Sequence, residues 1–334
     1  MPFPAHQKKV LIIRFSSIGD IVLTSPVIRC LKLQIGADVH FLTKKEFKGL
    51  VENNPYVDKV FTIEEKVSEV IDQLRNEGYD FIVDLHHNLR SAQVRRALKK
   101  PGAALNKLNI RKWILVNLKK DILPAIHVSE RYLNVVESLG VKNDLMGLDF
   151  YIPPSEEVDV DAIPELRKGY LAFAIGAQHD TKRLPVEKII SICKKIDEKI
   201  VLLGGKEDAQ RGAIISEALD GRVMNACGKY TLLQSASLVR QARKVITHDT
   251  GLMHIAAAFR KEIISVWGNT VPAFGMYPYL SRHGDDGRGV VVEVNNLSCR
   301  PCSKIGFKKC PKGHFNCMNL IAEEKIIEAI RTPF

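Results

Sequence analysis

Four short polar segments, each placed directly after an apolar run, carry most of the residues in this chain that could do chemistry. The first is Arg14-Phe-Ser-Ser-Ile-Gly-Asp20, where Gly19 permits a tight turn and Asp20 offers a carboxylate. Asp20 reads either as a general base or as a cap on the helix that follows. Beside a helix N-terminus a carboxylate keeps a low pKa, so it suits a reaction whose departing bond breaks early. The second segment, Gly176-Ala-Gln-His-Asp-Thr-Lys-Arg183, joins a glycine to hydrogen-bond donors and two adjacent cations. That set suits a diphosphate, and equally a solvated loop before a helix opened by Leu184-Pro185. The third, Leu203-Gly-Gly-Lys-Glu-Asp208, puts acids just past a glycine pair, where a carboxylate can accept from ribose hydroxyls. It lacks G-x-G-x-x-G, which disfavours a dinucleotide. The fourth, Thr247-His-Asp-Thr-Gly-Leu-Met-His254, leads into Ile-Ala-Ala-Ala258. A strand opening straight into a small-residue helix presents free N–H groups and a favourable dipole to phosphate, with His254 one turn inside.

Stepping from these residues to their supports, the apolar runs at 9–14, 39–43, 59–63 and 81–85 read as parallel strands. Helical patterns at 66–78 and 91–99 lie between them. The alternation breaks between Asp144 and Glu165, around Ile152-Pro-Pro-Ser-Glu-Glu157, and then restarts. Strands are expected at 170–175, 199–203, 244–247 and 262–267, and helices at 185–196, 209–219 and 251–259. This pattern predicts an α/β protein with two Rossmann-like, doubly wound domains facing each other across a cleft. Residues 322–331 read as an amphipathic helix.

The bulk numbers agree. The 334 residues suffice for two domains. A hydrophobic fraction of 46% and a charged fraction of 26% exclude a wholly disordered chain. No run approaches the ~20 apolar residues of a membrane span, and the first 17 residues show no signal-peptide pattern. Seven cysteines, with Cys30, Cys193 and Cys227 scattered through apolar patterns, fit a reducing cytoplasm. The net charge of +11 calls for acidic company. Nine basic and no acidic residues lie between Arg95 and Lys120, interleaved with Trp113, Ile114, Leu115 and Val116. Such a stretch suits an anionic membrane surface and a phosphorylated lipid, and no nucleic-acid-binding pattern accompanies it. Five more basic residues stand between Arg300 and Lys312. Cys299, Cys302, Cys310 and Cys317, with His314 among them, read either as a structural zinc site or as a compact loop of buried thiols.

Together these segments resemble glycosyltransferase family 9, the heptosyltransferases of lipopolysaccharide core synthesis. The resemblance rests on the Arg14–Asp20 segment with Thr24-Ser-Pro26, and on Asp84-Leu-His86 with Asn88 and Arg90-Ser91. It rests equally on Lys182-Arg-Leu-Pro185 and Asp249-Thr-Gly-Leu-Met-His254, with a lesser echo in Asn54-Pro-Tyr-Val-Asp58. The cysteine-rich stretch is similar to one found in a subset of the family. Two positions depart: Leu184 stands where members often carry Trp, and Thr24 where some carry His.

The resemblance implies a GT-B fold, with an acceptor domain over 1–155, a nucleotide-sugar domain over 165–320, and a helix over 321–334 packing back on the first domain. It implies inverting, metal-independent transfer from ADP-L-glycero-D-manno-heptose, with no cofactor, to the Kdo or heptose of the inner core. The acceptor would be Kdo-lipid A or core lipopolysaccharide, met by a cytoplasmic enzyme peripheral on the inner leaflet of the inner membrane. By motif position Asp20 is the base and Lys182 offsets charge on the leaving diphosphate. Thr181, Glu207, Asp249, Thr250, Gly251 and His254 face the donor; Ser17, Gly19, Asn88 and Arg90 face the acceptor. Two other readings remain: a family 9 transferase with another nucleotide-sugar donor, and a non-catalytic nucleotide-sugar-binding protein. An epimerase is disfavoured by the motif order.

Overall fold

A computed structural model describes residues 7–281 and 289–332. Residues 1–6 of the expected first domain, 282–288 of the second and 333–334 of the expected terminal helix lie outside the described residues. Packing divides the chain into two units, Met1–Lys107 with Ile126–Tyr151, and Leu108–Ala125 with Ile152–Phe334.

The first unit is built on β1 (Lys9–Ile13), β2 (Asp38–Lys44), β3 (Lys59–Ile63), β4 (Phe81–Asp84) and β5 (Gly102–Ala104). They form one parallel sheet in the order β3-β2-β1-β4-β5. Val10, Leu11, Ile12 and Ile13 are all fully buried, as a strand covered on both faces must be. Helices α1 (Ile18–Val22), α2 (Ser25–Ile35), α3 (Ile71–Asn76) and α4 (Leu89–Leu98) follow the strands. Pro26 opens α2 and Gly36, at φ +60°, ends it. The helix expected over 66–78 is shorter. Glu69 accepts from the N–H groups of Glu64, Glu65 and Lys66, which holds 67–69 as a separate 3-10 turn before α3.

Helix α5 (Asn109–Leu118) opens a segment that packs with the second unit, not with the acceptor domain where it was expected. Lys119 Nζ explains this: it donates to the carbonyls of Pro301 at 2.6 Å and Cys299 at 3.2 Å. The chain then returns to the first unit in α6 (Val128–Leu133).

The second unit holds β6 (Leu171–Ala174), α7 (Val186–Lys194), β7 (Ile200–Leu203), α8 (Ala209–Glu217), β8 (Val223–Asn225) and α9 (Leu232–Gln241). These are followed by β9 (Lys244–His248), α10 (Gly251–Ala258), β10 (Glu262–Trp267), β11 (Gly289–Glu293), α11 (Asn316–Asn319) and α12 (Glu323–Arg331). The parallel strand order β8-β7-β6-β9-β10-β11 repeats that of the first sheet with one strand added. Three strands not foreseen, β5, β8 and β11, are all sheet edges, where short, half-covered segments carry little periodicity.

Helix α12 packs into the core of the second unit. Ile326, Ala329 and Ile330 join a core with Ile189 and Ile192 of α7 and Val292 of β11. Glu323 accepts from Ser191 at 2.6 Å and from Lys195 at 3.0 Å. At the other end the buried ammonium of Lys244 donates to the carbonyls of Ala329 and Thr332 and pairs with Glu262 at 2.9 Å. A cation there suits the negative end of the helix.

In both sheets the chain reverses its direction of progress at the centre, between β1 and β4 and between β6 and β9. Doubly wound sheets bind ligands beyond the strand ends at such switch points.

Candidate functional site

The chemistry-bearing residues form two half-sites, one per unit, each at its switch point.

In the first unit, Asp20 lies in the first turn of α1 just after β1. Its Oδ2 accepts from Ser17 Oγ at 3.0 Å and from the N-cap backbone, Ser17 N, at 3.4 Å, while its Oδ1 lies 2.7 Å from the Arg14 guanidinium. The Tyr132 hydroxyl approaches the same Oδ1 at 3.4 Å. Burial works against the Arg14 charge, but Asp20 and its neighbours outweigh it and hold the guanidinium above its ordinary pKa. Arg14 also donates to the carbonyls of Ser16 and Leu85, tying the end of β1 to that of β4. Ser17 is exposed, whereas Gly19 is buried inside α1 rather than at a tight turn.

Across the switch point, buried Asp84 ends β4 and accepts from the N–H groups of His86 at 3.1 Å and His87 at 2.6 Å. Asn88 caps α4: its Oδ1 accepts from Ser91 N while Ser91 Oγ accepts in return from Asn88 N. Its side chain therefore shapes the loop. Arg90 is exposed and lines an open depression of about 870 Å³ with Lys66, Ser68, Arg75 and Gln93. His86 had no assigned role from the sequence. Its ring meets Phe15 edge-on at 5.2 Å, and its Nδ1 is buried without a hydrogen-bond partner. Burial first, then the charges of Arg14 and Lys107, push its pKa down to about 4, so it stands as a neutral imidazole. Its place in Asp84-Leu-His86, after a strand at a sheet centre, was the available signal.

In the second unit, Lys182 closes a 3-10 turn after β6 and Asp249 follows β9. Lys182 Nζ lies 2.7 Å from Asp249 Oδ2, which also accepts from Thr270 Oγ1 at 2.9 Å. The ammonium is thus held at the strand ends by a part-buried partner. Thr250 caps α10 without a side-chain bond to the helix, its hydroxyl 3.3 Å from that of Thr247. Gly251 opens α10, and His254 is buried one turn in. Glu207 is exposed and curls over Gly205, where an added Cβ would lie 2.3 Å from Glu207 Oε2.

The Thr181 hydroxyl is committed to backbone: it donates to Phe307 O at 3.0 Å and accepts from Phe307 N at 2.8 Å. Thr181 therefore anchors the turn that presents Lys182. Three further residues support this half-site and were not singled out from the sequence. Buried Asp208 accepts from Gly205 N at 3.0 Å and lies 3.7 Å from Arg183. Burial raises its pKa against the opposing pull of Arg183. His248, wholly buried, accepts from Leu184 N at 3.0 Å, and burial, then Arg211, hold its pKa at about 3. Arg300 donates to Gly268 O at 2.6 Å and Thr270 O at 2.8 Å, fixing the loop whose Thr270 hydroxyl holds Asp249.

Arg300 belongs to the cysteine-rich stretch, and Cys302 N donates to Asn269 O at 3.1 Å. Among the described residues no group of three or more His, Cys, Asp or Glu side chains is placed to hold a metal ion. Cys299 Sγ lies 3.9 Å from His314 Nε2. Burial first, then neighbouring thiols, push Cys302 up to about 11 and Cys317 to about 12. The stretch braces the loops that hold Lys182 and Asp249. No helix among the described residues is long and apolar enough to cross a membrane.

Comparison with known proteins finds the family model of glycosyltransferase family 9 (heptosyltransferase) matching residues 67–305. Lipopolysaccharide heptosyltransferase 1 of Campylobacter coli is 22% identical, over 98% of this chain and 99% of its own length. Among solved structures, a family 9 glycosyl transferase from Veillonella parvula superposes with a TM-score of 0.77 at 20% identity, covering 98% of this chain and 97% of its own. The ADP-heptose lps heptosyltransferase II of Escherichia coli gives 0.72 at 20% identity, covering 96% and 97%.

Proposed function

We infer the reaction from one premise: the chain belongs to glycosyltransferase family 9, is a glycosyltransferase, and has the GT-B fold. We propose that it transfers heptose from ADP-L-glycero-D-manno-heptose, with inversion and without a metal, to a Kdo or heptose of the lipopolysaccharide inner core. The relatives named above support the sugar and the acceptor class. The observation that carries the reading is the placing of Asp20 at one switch point and of the Lys182–Asp249 pair at the other.

In the proposed step, the acceptor hydroxyl attacks the anomeric carbon from the face opposite the diphosphate. Asp20 takes the hydroxyl proton as the new C–O bond forms. The bond to the β-phosphate oxygen breaks and ADP departs, its growing charge met by the Lys182 ammonium. Asp249 positions that ammonium. The N-terminus of α10, with Thr250 and Gly251, supplies N–H donors to phosphate, and His254 lies behind them. Glu207 meets the ribose from its exposed position. Ser17, Gly19, Asn88 and Arg90 shape the acceptor side. The protein works at the cytoplasmic face of the inner membrane, where a lipid-anchored acceptor is held.

The test is a panel of nucleotide-sugar donors and Kdo-containing acceptors, read by the mass of the glycolipid product. A heptose mass added from the ADP-sugar supports the reading. Release of ADP with a different sugar added changes the donor, and binding of ADP-heptose with no ADP release with any acceptor overturns catalysis.

A further inference from the structure

The proposed reaction leaves one set of side chains unused. Helix α5 buries only Leu115 and leaves Ile110, Trp113 and Leu118 at 77%, 58% and 63% exposure. Far along the chain, the stretch 300–312 exposes Ile305 and Phe307 among lysines, again with no acid. The fold joins the two. Lys119, just past α5, holds the carbonyls of Cys299 and Pro301, 180 and 182 positions away. Both segments belong to the second unit.

We propose that α5 and the loop around Ile305 form one surface that docks on an anionic lipid bilayer. The composition favours lipid over a protein partner. Protein interfaces are depleted in lysine and gather their apolar groups into a packed centre. Here single apolar tips stand between cations, the arrangement of elements that lie in a membrane interface, with tryptophan at headgroup depth and Lys/Arg toward anionic lipid. The surface is continuous with the reaction machinery: the Phe307 backbone that anchors Thr181 is part of it, one residue from Lys182. A bilayer seated there holds a lipid-borne acceptor beside the turn that presents the ammonium. This deepens the proposed function and rests on its reading of the acceptor as a membrane-anchored glycolipid.

The chain provides its own reporter. It has two tryptophans, and Trp267 is fully buried, which leaves Trp113 as the one that lipid can reach. The experiment adds the full chain to vesicles of phosphatidylethanolamine with or without phosphatidylglycerol, with brominated acyl chains as quencher. The expected result is flotation with the anionic vesicles, a blue shift, and bromine quenching of Trp113, all weakened by salt. Replacing both Arg111 and Lys120 by Gln should cut partitioning about 25-fold, at ~5-fold for each cation near the surface. Trp113→Ser should reduce flotation without changing the secondary structure. The same variants should keep wild-type transfer to a soluble, deacylated acceptor and lose it on acceptor embedded in anionic vesicles.

Failure to float, or flotation without Trp113 quenching, overturns the docking surface while soluble transfer still stands. A Trp113 shift that follows protein concentration without lipid, or RNA binding in place of vesicle binding, overturns it in favour of another occupant. Absence of transfer to any acceptor, with flotation and quenching intact, overturns the proposed reaction and leaves the surface in place.

Discussion

Lys182 Nζ lies 2.7 Å from Asp249 Oδ2, and the same oxygen accepts from Thr270. In the proposed reaction the pair places a cation where the leaving diphosphate gathers charge. Lys182→Ala should lower kcat about 10²–10³-fold, the range for removing one charge-stabilising group, with a smaller effect on donor affinity. Steady-state kinetics with ADP-heptose check this, and unchanged turnover would remove Lys182 from the reaction.

Asp20→Asn keeps the shape of the side chain and removes the proposed base. Transfer should fall by about 10²–10⁴-fold, with donor affinity by calorimetry unchanged. Because Arg14 is 8% exposed and loses the charge facing it, the melting temperature should also drop by a few degrees. Arg14→Lys should lower stability yet retain measurable transfer, which separates the two roles.

Arg300→Ala should loosen the loop from Gly268 to Thr270 and so release Asp249. Turnover should fall by about 10- to 10²-fold, the effect of losing charge-assisted hydrogen bonds worth ~1.5–3 kcal/mol, without loss of folding by circular dichroism. Arg300→Lys should restore part of it.

Stability should depend on pH through the buried histidines. His248 has a folded pKa of about 3 and His86 of about 4, both below the ordinary 6.5. Between those values and 6.5 the unfolded chain binds protons that the folded one does not. Stability is therefore complete above about pH 6.5 and declines as pH falls, by up to about 1.4 kcal/mol per pH unit for each histidine. Urea unfolding at several pH values should show this slope, and His248→Gln should reduce it by one proton.

Gly204→Ala should destabilise the second unit. An added Cβ would lie 2.7 Å from Asp208 Cβ and 2.8 Å from its Oδ2, and Asp208 is fixed by Gly205 N. A cost of about 1–3 kcal/mol is expected for such overpacking, read as a lower urea midpoint at unchanged slope.

The central strands were legible because a parallel strand buried on both faces is a run of apolar residues, as Val10–Ile13 shows. Asp20, Lys182 and Asp249 were legible because each follows such a run. What stayed hidden depended on partners distant in sequence. Arg300 looks like one of five basic residues in a polar stretch until its bonds to Gly268 and Thr270 are seen. Asp208 and Glu207 are adjacent acids, and only the fold buries the first and exposes the second. The amphipathic pattern of 323–331 revealed a helix but not its dock, which depends on the buried ammonium of Lys244. The grouping of 108–125 with the second unit stayed hidden for a like reason, since Lys119 finds its carbonyls 180 and 182 positions on.

The stitch between Thr181 and Phe307 spans 126 positions. During synthesis the first unit has all of its strands and helices once Tyr151 has emerged, and it is free to fold while the ribosome continues. The turn that carries Lys182 is made soon afterwards but waits for Phe307 to give it shape, and the core beneath it waits for α12. The unit that holds Asp20 is therefore complete in the growing chain well before the unit that holds Lys182. A nascent chain stalled before Phe307 would hold every residue of the first unit and still lack the backbone that anchors Thr181 beside Lys182.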